Sequence, residues 1–219
     1  MTFEPGLAGS LEPAFTIAGT LADSAQIWLI RHGETEWSRS GQHTGRTDIG
    51  LTPDGERQAR GLRPVLAELK PALVLCSPRS RAQQTAAWAG VRVDAIDPDL
   101  AEWDYGDYEG LTSAQIREQD PGWTVWSHTV RGGERPDQVG RRADRVLNRA
   151  VASLANGPVL LFSHGHMSRV LGARWVGLAT IGGRLLQLST AATSVLGAEH
   201  ESPVIAHWNV NHSARLETS

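Results

Sequence analysis

The stretch QIWLIRHGETEW, Gln26–Trp37, runs four apolar residues, Ile27–Ile30, directly into Arg31, His32 and Gly33. A segment that is apolar at every position, rather than every second one, fits a strand buried on both faces. Strands of that kind belong to mostly parallel sheets covered by helices. In open α/β sheets ligands gather beyond the carboxyl ends of the strands, which is where Arg31 and His32 would emerge.

The same pattern recurs downstream. ALVLCS (72–77) and PVLLFS (158–163) are further buried strands, and each is preceded by a helical segment. TPDGERQARGLRPVLAELK (52–70) has Thr52 as N-cap and Pro53 at the first helical position. SPRSRAQQTAAWAG (77–90) is helical up to Gly90, and VRVDAI (91–96) follows as a strand. Thr112-Ser113-Ala114-Gln115 forms a capping box opening a short helix that stops before Pro121. A long helix is predicted from Pro136 to Ala155 and another from Met167 to Val176, with LLQLST (185–190), TSVLGAEH (193–200) and VIAHWNV (204–210) as closing strands. The expected fold is α/β, a three-layer α/β/α sandwich with a mostly parallel central sheet.

One domain suits 219 residues. Residues 1–25 contain no Lys or Arg and lack the positive start of a secretory signal; they are expected to be a flexible extension ahead of a single domain, 26–219. A net charge of -3 leaves no basic field for a phosphate backbone, so nucleic acid is not an expected partner. Nor is a membrane, because no apolar stretch approaches spanning length. The lone Cys76 rules out an internal disulfide framework and suits a reducing, cytoplasmic setting.

Three strand ends carry chemically capable groups: Arg31-His32-Gly33, Ser77-Pro78-Arg79 and Ser163-His164-Gly165-His166. Arginines and histidines converging on one sheet edge make a cationic, donor-rich pocket whose natural guest is a phosphoryl group. A neutral imidazole there can attack phosphorus while the arginines neutralise the equatorial oxygens. The leaving alkoxide needs a proton from a carboxyl group. AEWDYGDYEG (101–110) offers Glu102, Asp104, Asp107 and Glu109, and spacing does not choose among them.

Alternatives are weaker. His164-x-His166 could ligate zinc, but no cysteine or carboxylate ligand stands at standard spacing, so neither metal nor cofactor is expected. No Gly-x-Ser-x-Gly elbow and no Gly-x-x-x-x-Gly-Lys loop occurs. Arg81 is either a helix-surface residue or a second substrate contact, and Trp37, Trp103, Trp123 and Trp126 either line the pocket or pack beside it.

LIRHGET, SPRSRAQQTA, EWDYGDYEGL and FSHGH, in that order, resemble the histidine phosphatase superfamily, the branch that includes cofactor-dependent phosphoglycerate mutases and their phosphatase relatives. The resemblance covers roughly residues 26–176 and implies a phosphoglycerate mutase-like fold. It implies His32 as phosphorylated nucleophile, Arg31, Arg79 and His164 as phosphate clamp, and Glu102 as general acid. Family mutases carry Trp-Asn after the first motif, a later lysine and a long insert with paired arginines. This chain has Trp37-Ser38, no lysine beyond Lys70, and Arg141-Arg142 within a predicted helix. These departures favour hydrolysis.

SGQHTGRTDIGLTPDGERQA (40–59) is further similar to sugar-phosphate and acid phosphatases of the superfamily. Ser38, Thr44, Gly45, Tyr105 and Gly165 would then border the substrate, and residues 110–135 would cover it as a lid. The expected partner is a small-molecule phosphate ester, and a homodimer is the assembly left open.

Overall fold

The computed structural model describes residues 15–17 and 19–212. Its centre is a sheet of six strands among these residues: β1 (Ile27–Arg31), β2 (Leu73–Cys76), β3 (Ala95–Ile96), β4 (Val159–Ser163), β5 (Thr193–Glu199) and β6 (Ser202–Val210), in the order β3-β2-β4-β1-β5-β6. The first four of that order pair in parallel, while β5 and β6 close the sheet antiparallel.

The apolar runs divide by residue parity between two cores, as the alternation of a pleated strand requires. Ile27, Leu29, Val159 and Leu161 face one cluster together with Val139, Val146, Leu171 and Trp175. Those four partners come from α6 (Pro136–Val151) and α7 (Gly165–Trp175). Ile30, Leu160 and Phe162 face the other, with Ala82 and Ala86 of α4 (Ser80–Trp88) and Leu62 beside α2 (Pro53–Gly61). The expected three-layer sandwich is therefore present. Its strands are apolar throughout because each face has its own core.

Several boundaries differ from the sequence reading. The predicted 52–70 helix divides into α2 and α3 (Arg63–Leu66) because Pro64 has no N–H to continue the ladder. The third strand shortens to Ala95–Ile96, and the long helix ends at Val151. The last helix starts at Gly165, two residues earlier than predicted, for a reason that lies in the site. LLQLST forms no strand. Its backbone is satisfied by side chains instead: Trp208 Nε1 donates to Gln187 O, and Ser189 N–H donates to Asn209 Oδ1. A short helix after β1, α1 (Glu36–Ser40), was not anticipated, whereas α5 (Ser113–Gln119) has the predicted Thr112–Gln115 capping box.

Part of the expected N-terminal extension, residues 1–14 and 18, lies outside the described residues. Within the remainder, Leu21 and Ala25 are buried in the first core, with Phe15 and Ile17 packed against it. Phe15, Ile17, Leu21 and Ala25 therefore pack with the first core, because these apolar side chains find a surface there.

Register decides where the chemistry meets. Arg31 pairs with Ser163, Cys76 pairs with Phe162, and His32 N–H donates to Ser163 O at 3.0 Å. The ends of β1, β2 and β4 are thus level, and the turn after β1 lies against the first turn of α2. A Cβ on Gly33 would come 2.4 Å from Gly55 O. Gly33→Ala should accordingly lower the unfolding free energy by about 1–3 kcal/mol; a urea midpoint equal to that of the parent, at equal slope, would refute this packing argument.

Candidate active site

His32 leaves the end of β1 buried, at 5% exposure. Its Nδ1 is 2.7 Å from Gly33 O, and a carbonyl can only accept, so Nδ1 carries the hydrogen. Burial first, then the charges of Arg31 and Arg81, hold the imidazole well below its usual pKa. A neutral ring with Nδ1–H leaves a lone pair on Nε2, which has no protein partner among the described residues. Arg31, half-buried, donates through Nη1 to Leu188 O, while its Nε is sealed without a partner.

His164 stands beside His32, their ring centroids 5.2 Å apart and edge-on. It is fully buried, and both its nitrogens are engaged. Arg81 Nε donates to Nδ1 at 3.1 Å, so Nε2 carries the hydrogen and donates to Ser77 Oγ at 2.6 Å. Arg81 is neither of the things expected of it. Its guanidinium is wholly buried and also donates to Thr47 O and Thr44 O, which ties the loop after α1 to His164. It also acts on His32 by charge. Arg79 caps α4 with its Nε buried and unpartnered, close enough to lower the pKa of His164.

The tertiary structure distinguishes among the four carboxylates. Glu102 Oε1 accepts from Trp103 N–H and Met167 N–H, and Oε2 accepts from His166 N–H, at 2.9–3.0 Å. It therefore caps the first turn of α7, which explains why that helix begins at Gly165. Gly165 fits between the charges: a Cβ on it would be 3.4 Å from Arg31 Cζ and 3.6 Å from Glu102 Oε2. The rivals are occupied elsewhere. Asp104 pairs with Arg46, Asp107 with Arg131, and Glu109 accepts the N–H groups of Gly45 and Thr47. Arg142 is also committed, donating to the carbonyls of Asp99 and Ala101 and to the Glu134 carboxylate, so it braces the segment that carries Glu102. Arg141 pairs with Asp137 at the surface.

A pocket of about 180 Å³ opens over these groups, lined by Arg31, His32, Glu102 and Gly165 on one side. Ser38, Thr44 and Tyr105 line it as expected, together with Gln42, His43, His166, Arg169 and Leu188. Arg79, His164 and Gly45 do not reach its surface. Nor does the 110–135 segment serve as a lid. Trp123 and Trp126 are buried in the core behind the wall, and the Arg169 guanidinium lies 4.7 Å over the Trp126 ring. Trp103 is buried too, and Trp37 packs against Gly110. The sequence reading missed Arg169, although it sits three and four residues after His166 and Gly165, on the same face of α7.

His164 engages both ring nitrogens, with Arg81 and Ser77, and His166 Nδ1 meets Tyr105 OH at 2.6 Å. No group of three or more His, Cys, Asp or Glu that could hold a metal occurs among the described residues. No helix among them is long and apolar enough to cross a membrane.

Residues 27–211 match the model of the histidine phosphatase superfamily (branch 1). The chain is 45% identical over 177 residues to an acid phosphatase of Mycobacterium tuberculosis, covering 80% of this chain and 87% of that one. It is 37% identical over 186 residues to sedoheptulose 1,7-bisphosphatase of Saccharomyces cerevisiae, covering 68% and 67%. A solved structure from an open reading frame of Mycobacterium tuberculosis superposes with a TM-score of 0.83 at 42% identity, covering 86% of this chain and 98% of that one.

Four histidines in this region have depressed pKa values, chiefly through burial: His32, His164 and His166 well below the usual value, and His43 at about 4. Between pH 6.5 and these folded values the unfolded chain binds more protons, so stability rises with pH there. It should be complete above 6.5 and fall by about 1.4 kcal/mol per histidine per pH unit on acidification. Denaturant unfolding at pH 7 and pH 5 measures this, and equal stabilities would contradict buried neutral rings.

Proposed function

This chain belongs to the histidine phosphatase superfamily, and on that premise we propose that it hydrolyses small phosphate monoesters, sugar phosphates among them, through a phosphohistidine and without a metal. What carries the reading is His32, a neutral imidazole whose Nδ1–H is fixed by Gly33 O and whose Nε2 lone pair is left for phosphorus. A protonated ring would have no nucleophilic nitrogen, and burial beside Arg31 and Arg81 suppresses that form.

In the first step, which Glu102 enters as the carboxylic acid once the dianionic ester is bound beside it, Nε2 forms a bond to phosphorus as the ester P–O bond breaks, and the departing oxygen takes the Glu102 proton. Arg31, with its unpartnered Nε, is the guanidinium at the pocket for the equatorial oxygens. In the second step Glu102 takes a proton from water as the water oxygen bonds to phosphorus and the N–P bond breaks, releasing inorganic phosphate. Glu102 is held by three backbone N–H groups that do not move with substrate, so it needs little reorganisation between the two steps. Arg81 supports the site by charge and by fixing His164, and the neutral His164 ring packs edge-on against His32.

Hydrolysis is favoured over phosphoglycerate mutation because the one arginine pair available to grip a second anionic group is committed. Arg142 is spent on backbone carbonyls and Glu134, and Arg141 on Asp137. The relatives whose names specify an acid phosphatase and a sugar bisphosphatase support the same reading.

Incubation with substrate followed by an alkaline quench should trap base-stable, acid-labile phosphate on the wild type and none on His32→Ala; label persisting in the variant would reject the mechanism. Glu102→Gln should slow hydrolysis of alkyl phosphates by about 10²–10⁴-fold and of aryl phosphates far less. Equal slowing on both would assign the proton to another group.

A further inference from the structure

Phosphoryl transfer as proposed employs Arg31, His32 and Glu102 and leaves the side chains of His43, Tyr105 and His166, which also line the pocket, without a task; His166 adjoins the carboxyl, its Nδ1 3.9 Å from Glu102 Oε2. His166 is set among aromatic rings, with centroids at 5.2 Å for Trp126, 5.8 Å for Tyr105, 6.1 Å for His43 and 6.4 Å for Trp103. Packing on this many sides fixes the imidazole plane. Its Nδ1 lies 2.6 Å from the Tyr105 oxygen. Tyr105 is buried, and its phenolic hydrogen has this one acceptor among the described residues. The phenol therefore donates to Nδ1, and the hydrogen of the neutral ring sits on Nε2.

Nε2 has no protein partner among the described residues. It is also not among the buried atoms lacking one, as Arg31 Nε and Arg79 Nε are. Around it, neighbouring polar atoms are consumed inside the protein. Ser38 Oγ accepts from Thr35 N–H and donates to Thr35 O, and the Gln42 amide donates to Gly110 O and accepts from Ser40. Thr44 Oγ1 donates to Gln42 O, and His43 Nε2 meets Ser113 Oγ. What His166 offers an incoming ligand is a rigid, uncharged N–H donor beside aromatic rings, while the Arg169 guanidinium, which lines the same pocket, donates to Gly183 O and Arg184 O.

We propose that His166, aimed by Tyr105, is a specificity-determining residue that donates its Nε2–H to a hydroxyl oxygen of the alcohol half of the ester, so that polyol phosphates are selected over aryl phosphates. The proposal rests on the phosphatase reading above and assigns the half of the pocket which that reading leaves open. An aryl group offers no acceptor oxygen to this donor. A polyol offers one, and the same aromatic wall accepts its C–H face.

The test compares wild type, His166→Phe and His166→Gln on a hexose phosphate and on phenyl phosphate. His166→Phe keeps an aromatic ring between the tryptophans and removes the donor. It should lose about fivefold to tenfold in kcat/KM on the hexose phosphate, carried by KM, and less than about twofold on phenyl phosphate. His166→Gln restores an N–H and should recover most of the loss, which a purely structural role would not allow. Equal losses on both esters, or no loss on the hexose phosphate in either variant, would overturn the proposal. If wild type turned over neither ester, the phosphatase reading would fall by itself. Calorimetric affinities of wild type and His166→Phe for the two esters would then decide the subsite, a selective loss of hexose phosphate binding supporting it and parallel affinities overturning it.

Discussion

The pairing of Arg31 with Ser163 across β1 and β4 is the contact on which the rest depends. Both strands are buried on both faces, so a shift of one residue in register would turn every inward side chain to the opposite core. That penalty holds the strand ends level, and level ends put both His32 and Ser77 against His164. Precision at the site therefore derives from apolar burial several residues away. The sheet spends its hydrophobic residues on register, and register delivers the polar ones.

A second constraint is the concentration of positive charge in a space with little solvent. Arg31, Arg81 and Arg169 all have pKa values lowered by burial, and Glu102 is a charge opposing that effect for each of them. Glu102 is thus at once the countercharge of the pocket, the cap of α7 and the carboxyl nearest the proposed chemistry. Burial acts in the useful direction for the histidines too, since it keeps them neutral. An imidazole among arginines has every reason to shed its proton, and this group of four does so together.

Two guanidiniums that look available in sequence are instead braces. Arg81 spans from His164 to the carbonyls of Thr44 and Thr47, and Arg142 spans from Glu134 to the carbonyls of Asp99 and Ala101. Each fixes one proposed functional side chain through its backbone or ring rather than through substrate. The fixed fork of arginine suits this work, because several carbonyls can be held at once in one plane. Lysine, a single point charge, could not hold them in the same way.

By itself the sequence determined the class of the fold and which polar residues gather at its strand ends. Uninterrupted apolar runs fit strands covered on both faces, and Arg31, His32, Ser77, Ser163 and His164 stand at the ends of those runs. Short-range signals of this kind survive because they depend on neighbours along the chain. Thr112 and Gln115 form their predicted capping box for the same reason. Spacing did not separate Glu102 from Asp104, Asp107 and Glu109, and only the family resemblance singled it out, because what distinguishes it physically is the first turn of α7, more than sixty residues away. Likewise, LLQLST is as apolar as a strand, but its backbone groups meet Trp208, Asn209 and Arg31 rather than a ladder. Nothing local says that Arg81 is buried or that His166 has Tyr105 as its partner. Those facts are decided where separate segments compete for the same hydrogen bonds, and only the tertiary structure settles that competition.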